Sequence, residues 1–341
     1  MKQLFFIFLI ANVQILLALE PFFIKAADIS SLPELEQKGV VFYNATGKVE
    51  DMLTTLKNAG CNTIRVRLWK NPNKVYCNFN NVKTFTKRIK KQGLKVWLDI
   101  HYSNTWADPS HQKIPKAWQN LAFTQLEDSL YQYTARIIRE IKPDYVQIGN
   151  EINHGFLWEA GHIDNKNNFL LLLQTAIKAV RSNNKESKII LHYAGIQGSN
   201  WFYQNMSALD YDIIGITYYP IWHQKDLSLL QNKLTLLAKK YNKKIVIAET
   251  SYPFTPNWQD NTHNIVGLSS QLIKGFSATP KGQLSYMMEI KKVISTVPNG
   301  IGFCYWGAEL ISDKKFSSPY ENQALYDFEH KVLPVMRVFR N

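Results

Sequence analysis

Apolar residues along this chain gather into short β-rich runs separated by longer stretches with helical spacing. Eight such runs stand out, at 23–29, 63–68, 94–100, 145–148, 188–191, 213–217, 244–248 and 301–305. Several are nearly continuously apolar (KIVIA, DIIGI), as expected of parallel strands covered by helices. Between them, Leu126, Leu130, Tyr133 and Ile137 follow an i, i+4, i+7, i+11 pattern, and Tyr286, Met287, Ile290 and Ile294 form a second stripe. Both stripes predict helices packed on a sheet and carry no chemistry of their own. Alternating strand and helix signals imply βαβ units with right-handed crossovers, and eight repeats imply a single-domain α/β fold, the (β/α)8 TIM barrel.

The connections are unequal. Those entering strands are short and marked by turn residues: Ala59-Gly60, Gln92-Gly93 and Lys142-Pro143. Those leaving strands are long, and neither 101–120 nor 250–280 has any periodicity. In a barrel of this kind the loops after the strands build the active face, and loops of such length are usually functional. With no linker and no internal repeat, one domain is expected.

The strand ends carry the candidate chemistry. The fourth run continues Gln147-Ile148-Gly149-Asn150-Glu151, and the seventh continues Ala248-Glu249-Thr250. Each sets a glutamate after an apolar strand, at the rim of the barrel, where two can face each other. Glycoside hydrolysis needs such a pair, one carboxylic acid protonating the leaving oxygen while the other carboxylate attacks the sugar carbon. One strand-end glutamate alone is more often a cap or an arginine's partner; two with the following neighbours favour catalysis.

Arg65 and Arg67 alternate in the second run and so share a face. An arginine inside the barrel keeps a nearby carboxylate ionised, as a nucleophile requires, although one of the two has an equal claim to a structural role. Asp99 and His101 also share a face; they line the site or form a buried hydrogen-bonded pair. A tyrosine hydroxyl from Tyr218-Tyr219 would reach a nucleophile, or pack. Of nine tryptophans only Trp97 lies within a run, and the rest sit at strand ends or in loops, which suits a cleft that stacks sugar rings. No His or Cys spacing supports a transition-metal site.

Composition narrows the class. In 341 residues, 45% are hydrophobic and 20% charged, so a full core can be buried and disorder is excluded. The start of the chain, Lys2 and then an apolar run over 4–17 broken by Asn12 and Gln14, is too short to span a membrane and reads as a signal peptide over residues 1–19, followed by a catalytic domain over 20–341. The protein is therefore expected to be secreted or periplasmic, with no membrane span, and to act as a monomer. Cys61, Cys77 and Cys304 cannot close a disulfide framework, although one Cys61–Cys77 bridge is conceivable. The net charge of +13 is spread over short lysine clusters on polar helix faces with no nucleic-acid motif beside them; attraction to an acidic polymer such as pectin is the secondary reading.

The runs AADISSLPELEQKGVVFYN, GCNTIRVRLWKNP, DIHYSNTWADPSHQKIPKAW, VQIGNEINHGFLWEAG, GITYYPIWH and IAETSYPFT resemble, in order and over nearly the whole chain, glycoside hydrolase family 53, the arabinogalactan endo-β-1,4-galactanases. That resemblance implies a retaining (β/α)8 enzyme that cleaves β-1,4-galactan, the neutral side chain of pectin, without a cofactor. It makes Glu151 the acid/base, Asn150 the holder of the sugar 2-hydroxyl and Glu249 the nucleophile. Arg65 matches the strand-two arginine, and Asp99, His101, Tyr218 or Tyr219, and Trp306 fall where the family lines its innermost subsites. Two stretches depart from the family: Ser103-Asn104 stands for the usual Ser-Asp, and Trp306-Gly307-Ala308 for Trp-Glu-Pro. Some members bind structural calcium after strand seven; Asp260 and Asn264 are the residues here that match, with fewer oxygen ligands than the ~6–8 calcium takes. Two other readings stay open: another endo-glycanase of the same clan, acting on β-mannan or β-glucan, and a non-catalytic polysaccharide-binding protein.

Overall fold

The computed structural model describes residues 22–73, 76–313 and 316–341. The expected signal peptide lies outside the described residues. Eight parallel strands, β1 (Ile24–Asp28), β2 (Thr63–Leu68), β3 (Lys95–Ile100), β4 (Tyr145–Ile148), β5 (Lys188–Ala194), β6 (Ile213–Thr217), β7 (Lys244–Thr250) and β8 (Gly300–Tyr305), close in chain order into one barrel. Two short helices, α1 (Leu32–Gln37) and α2 (Met52–Asn58), follow β1. Then α3 (Phe79–Lys91), α4 (Phe123–Ile141), α5 (Lys166–Asn183), α6 (Ser199–Asn205), α7 (Leu227–Tyr241) and α8 (Pro280–Thr296) each follow one strand. After β8 the last cover is a 3-10 segment, Pro334–Phe339, whose Phe339 ring stacks on Phe303 at 6.0 Å.

Side-chain alternation divides the barrel into layers. Inward positions low on the strands (Ile24, Ala26, Trp97, Tyr145, Ile190, Ile213, Val246, Ala248 and Cys304) form a compact apolar plug. Outward positions such as Ile64, Val66, Leu98, Val146, Ile214 and Ile245 pack against the helices in a second, larger core. The predicted stripes serve that outer core: Leu126, Leu130 and Ile137 on α4, and all four residues on α8, are buried, with Tyr133 half-buried. Helix starts are fixed locally. Asp51 caps α2 through the Thr54 amide, and Thr279 with Pro280 opens α8.

Two strands run further than the apolar pattern predicts. β5 continues past Leu191 through His192 to Ala194, and β7 continues through Glu249 to Thr250. A polar residue ends an apolar run, yet it does not end a ladder; His192, Tyr193 and Ala194 stay paired with Gly215, Ile216 and Thr217. Cys61, Cys77 and Cys304 are all buried free thiols, so the Cys61–Cys77 bridge is not made.

The barrel closes where β8 meets β1. Gly302 pairs there with Ile24, with φ +139°, and a Cβ added to it would sit 2.0 Å from the Ile24 carbonyl oxygen. That contact is with backbone, so no rotamer change relieves it. Gly302→Ala is expected to lower unfolding stability by about 2–4 kcal/mol in urea denaturation; an unchanged midpoint would contradict this account of closure.

Candidate active site

Above the apolar plug, the inward positions turn polar: Asp28 on β1, Arg65 on β2, Asp99 on β3, Gln147 on β4, His192 on β5 and Thr217 on β6, all buried. Asp28, Arg65 and Asp99 floor a cleft of about 1180 Å³ on the face formed by the loops that leave the strands, with the other three beneath it. Arg65, 1% exposed, is at the centre. Its Nη1 donates to Asp28 Oδ2 at 2.8 Å and its Nε to Gln147 Oε1 at 3.2 Å. Its Nη2 faces Asp99 Oδ2 at 2.9 Å, Asn150 Oδ1 at 3.0 Å and Glu249 Oε1 at 2.8 Å.

Glu249 reaches Arg65 through a break in register. Ile245 and Ile247 face the helices while Val246 and Ala248 face the barrel axis, so strict alternation would turn Glu249 outward. The pairing shifts between Ile216↔Ile247 and Thr217↔Glu249, and this bulge turns the carboxylate back to the axis. Glu151 arrives by another device. β4 ends at Ile148, Gly149 turns left-handed at φ +73°, and Glu151 itself holds φ +46°. A Cβ on Gly149 would meet Ile152 Cγ2 at 2.5 Å, so the turn needs glycine. A left-handed glutamate is uncommon and is held by its surroundings. The result is that an oxygen of Glu151, one of Glu249 and a ring nitrogen of His192 lie within 4.8 Å of one another. A cation among them would compete with the Arg65–Glu249 ion pair.

The two carboxyls differ in their donors. Glu249 receives one on each oxygen, from Arg65 and, at 3.2 Å, from the Tyr219 hydroxyl. Glu151 receives the Thr217 hydroxyl on Oε1 at 2.6 Å. Burial raises both carboxyls above their ordinary range; Thr217 and Arg65 oppose the rise at Glu151, while at Glu249 Arg65 opposes it and the Glu151 carboxyl adds to it. Within the pair the negative charge belongs on Glu249, where a guanidinium and a phenol both stabilise it, and the proton on Glu151. Beside them, burial pushes Asp99 upward, but Arg65 and His101 outweigh it and hold the carboxyl below its ordinary range. The Ala107 amide donates to His101 Nδ1 at 2.9 Å, so Nε2 carries the proton and donates to Asp99 Oδ2 at 2.9 Å. Burial keeps this imidazole neutral.

Most of the sequence-derived candidates meet here. Asp99 and His101 form the hydrogen-bonded pair and also line the cleft, so both readings hold. Asn150 is fixed by Arg65 and by donating to the Ala107 carbonyl at 2.8 Å. Trp306 borders the cleft with Trp106 and Tyr320, their centroids 6.2 and 4.9 Å away. Trp69 and Trp222 also line it. Arg67 takes the structural role, its guanidinium 3.8 Å from the Trp106 ring and 4.6 Å from Trp69.

One candidate is corrected. Tyr218 alternates away from the cleft into the outer core and donates to the Gln224 carbonyl at 2.8 Å, leaving Tyr219 as the tyrosine at the site. At the expected calcium position Asp260 has both oxygens engaged, whereas the Asn264 Oδ1 is buried with no partner among the described residues. Asp260 accepts from the Thr262 amide and hydroxyl on one oxygen and from the Ser318 amide, at 2.6 Å, on the other, while Asn264 donates to the Asn257 carbonyl.

A model of glycosyl hydrolase family 53 matches residues 24–339. The chain belongs to glycosyl hydrolase family 53. It is 33% identical to an endo-beta-1,4-galactanase of Bacillus subtilis (strain 168), over 93% of this chain and 85% of that protein. It is 32% identical to an arabinogalactan endo-beta-1,4-galactanase of Cellvibrio japonicus, over 94% of this chain and 91% of that protein. The solved GH53 catalytic domain of Ignisphaera aggregans superposes with a TM-score of 0.90 at 34% identity, covering 95% of this chain and 97% of that one.

Sequence reasoning about this family-53 hydrolase missed Asp28, Gln147, His192, Thr217 and Tyr320. Four of the five carry a usable signal, a polar residue at an inward position of an otherwise apolar strand; Tyr320 lies in a loop with none. The site depends on Arg65 supplying donors in several directions at once. Arg65→Lys keeps the charge but offers three donors on one atom, and so leaves buried carboxylates unsatisfied. We expect it to cost about 3–5 kcal/mol of stability, read by thermal and denaturant unfolding together with hydrolytic activity; near-wild-type values in both would remove Arg65 from this role.

Proposed function

We propose that this family-53 glycoside hydrolase cuts internal β-1,4-galactosidic bonds in the (arabino)galactan side chains of pectin, with net retention of configuration. The observation that carries the reading is the unequal pair Glu151 and Glu249, close enough for double displacement and floored by Arg65. Retaining enzymes hold their carboxyls ~5–5.5 Å apart, inverting ones ~6.5–9.5 Å, and oxygens within 4.8 Å favour the former. The activities named for the two galactanase relatives supply the substrate class, and the open aromatic cleft suits a polymer that continues on both sides of the cut.

In this mechanism Glu249 attacks the anomeric carbon while Glu151 gives its proton to the departing glycosidic oxygen. Water, deprotonated by Glu151, then attacks the galactosyl–Glu249 ester and frees the nucleophile. Arg65 and Tyr219 hold Glu249 ionised and aimed. Asn150, its amide oriented by Arg65 and the Ala107 carbonyl, is set to hold the 2-hydroxyl. The chemistry uses no cofactor. The loop after β7 is proposed to keep its shape by direct hydrogen bonds, such as those of Asp260, rather than through calcium. Residues 1–19 are proposed as the leader of an exported enzyme whose catalytic domain spans 20–341, secreted or periplasmic; among the described residues no helix is long and apolar enough to cross a membrane.

Depolymerisation of galactan, β-mannan and carboxymethylcellulose, followed by new reducing ends, tests the substrate. Galactan alone should be cut, with early products of mixed length; preferential cleavage of mannan or glucan, or galactan binding without cleavage, would replace the proposal. Glu249→Ala should abolish turnover and leave galactan affinity in place, and substantial residual hydrolysis would show that another group attacks.

The pair must carry one proton to work. It fails in acid, when Glu249 also becomes protonated, and in base, as Glu151, raised by burial above the usual carboxylate range, loses its proton. The kcat/KM profile on galactan should therefore be bell-shaped. With an aryl glycoside that needs no acid, Glu151→Ala should lose the basic limb, and its acidic limb should move to lower pH, because removing the neighbouring carboxylate lowers Glu249. A basic limb unchanged in that variant would assign it to another group.

A further inference from the structure

We propose that His192 and Thr217 are positioning residues that fix which oxygen of Glu151 carries the catalytic proton. The proposal rests on Glu151 being the acid/base. Its basis is a ring of hydrogen bonds that leaves the backbone of Glu151 and returns to its side chain. The Glu151 amide faces His192 Nδ1 at 3.4 Å, His192 Nε2 lies 2.8 Å from Thr217 Oγ1, and Thr217 Oγ1 lies 2.6 Å from Glu151 Oε1. His192 and Thr217 have no solvent exposure. His192 is also tied to the turn through its carbonyl, which accepts from the Ile152 amide at 3.0 Å.

The direction of the ring follows from its neighbours. Gln147 Oε1 receives N–H donors from Arg65 and Trp97, which fixes the amide with Nε2 toward Asp99 and toward His192 Nδ1 at 2.9 Å. Asn150 Oδ1, 3.0 Å from Nδ1, already accepts from Arg65. His192 Nδ1 thus faces two donors, the Gln147 amide and the Glu151 backbone N–H, and the latter would be left without an acceptor if Nδ1 were protonated. The proton therefore sits on Nε2 and is donated to Thr217, whose own hydroxyl hydrogen must point at Glu151 Oε1. Burial, reinforced by Arg65, keeps His192 neutral and so keeps this polarity.

An oxygen that accepts from Thr217 is a poor place for the acidic proton. The proton is left to Oε2, the oxygen free to meet the glycosidic oxygen. As the C1–O bond breaks and the Glu249–C1 bond forms, that proton passes from Oε2 to the leaving oxygen, and the charge left on Glu151 is met at once by Thr217 and the imidazole behind it.

Imidazole ¹⁵N spectra test the polarity directly. His192 should show a protonated Nε2 and an unprotonated Nδ1; the opposite tautomer or an imidazolium would overturn the proposal. The functional test uses galactan and an aryl β-galactobioside whose dinitrophenolate leaves without protonation. Thr217→Val should lower kcat on galactan roughly 10–100-fold, less than the ~10²–10⁴-fold typical of losing a general acid, with KM nearly unchanged. The pre-steady-state release of dinitrophenolate should stay close to wild type, and Thr217→Ser should restore most of the galactan rate. Thr217→Val slowing both substrates alike, or neither, would sink the relay. Glu151→Ala is the benchmark: if it too fails to discriminate between leaving groups, the acid/base assignment itself is wrong, a different result from failure of the relay alone.

Discussion

Everything at the mouth of this barrel depends on one buried cation. Arg65 is almost fully enclosed and draws its partners from β1, β3, the turn after β4, and β7, so closing the barrel and assembling the site are a single event. Three carboxylates crowded around an empty centre would repel one another in a medium that screens poorly. With the guanidinium present, each has a charge-assisted partner, and its planar fork dictates where they stand. Burial is the main reason the carboxyls of Glu151 and Glu249 rise despite the arginine, and the crowding adds to it: one positive charge is shared among Asp28, Asp99 and Glu249, and a fourth carboxylate adjacent to them finds little of it left.

The fold was legible because its signals are local. Eight apolar runs and the helical stripes between them are set by burial on one side or both, and Arg65 could be picked out because an arginine in such a run has few reasons to be there. The strand-end glutamates were legible as residues but not as geometry. From Ile245 and Ile247, alternation alone turns Glu249 toward the helices; only the slip in pairing with β6 returns it to the axis, and a slip depends on two strands at once. His192 was lost because it follows Ile189, Ile190 and Leu191, where an apolar run stops at the first polar residue. The ladder does not stop, since backbone pairing is indifferent to what the side chain carries.

The departures from the family pattern become intelligible as hydrogen bonding. Asn104, where an aspartate is usual, donates through its amide to the carbonyls of Lys70 and Asn71 and accepts from the Lys116 amide at 2.7 Å. It thereby ties the loops after β2 and β3 together; a carboxylate has no hydrogen to give those carbonyls. At Gly307-Ala308, the Ala308 amide donates to the Asp28 carbonyl at 3.2 Å. Proline there would have no such hydrogen. Both changes leave the two glutamates alone and stand next in sequence to residues that line the cleft, Thr105 and Trp306.

In the proposed mechanism the two glutamates on one rim do different work because their donors differ in kind. Glu249 is met by a permanent cation and a phenol, which lower the energy of a carboxylate and keep it ready to attack. Glu151 is met by a hydroxyl backed by a neutral imidazole, a weaker and adjustable support that tolerates either protonation state and favours one oxygen over the other. A second arginine in place of Thr217 would hold Glu151 ionised and remove the acid; no donor at all would leave its buried charge uncompensated once the proton had gone. The acid/base must alternate between charge and neutrality in every turnover, and a polarised hydroxyl is the kind of partner that costs little in both states.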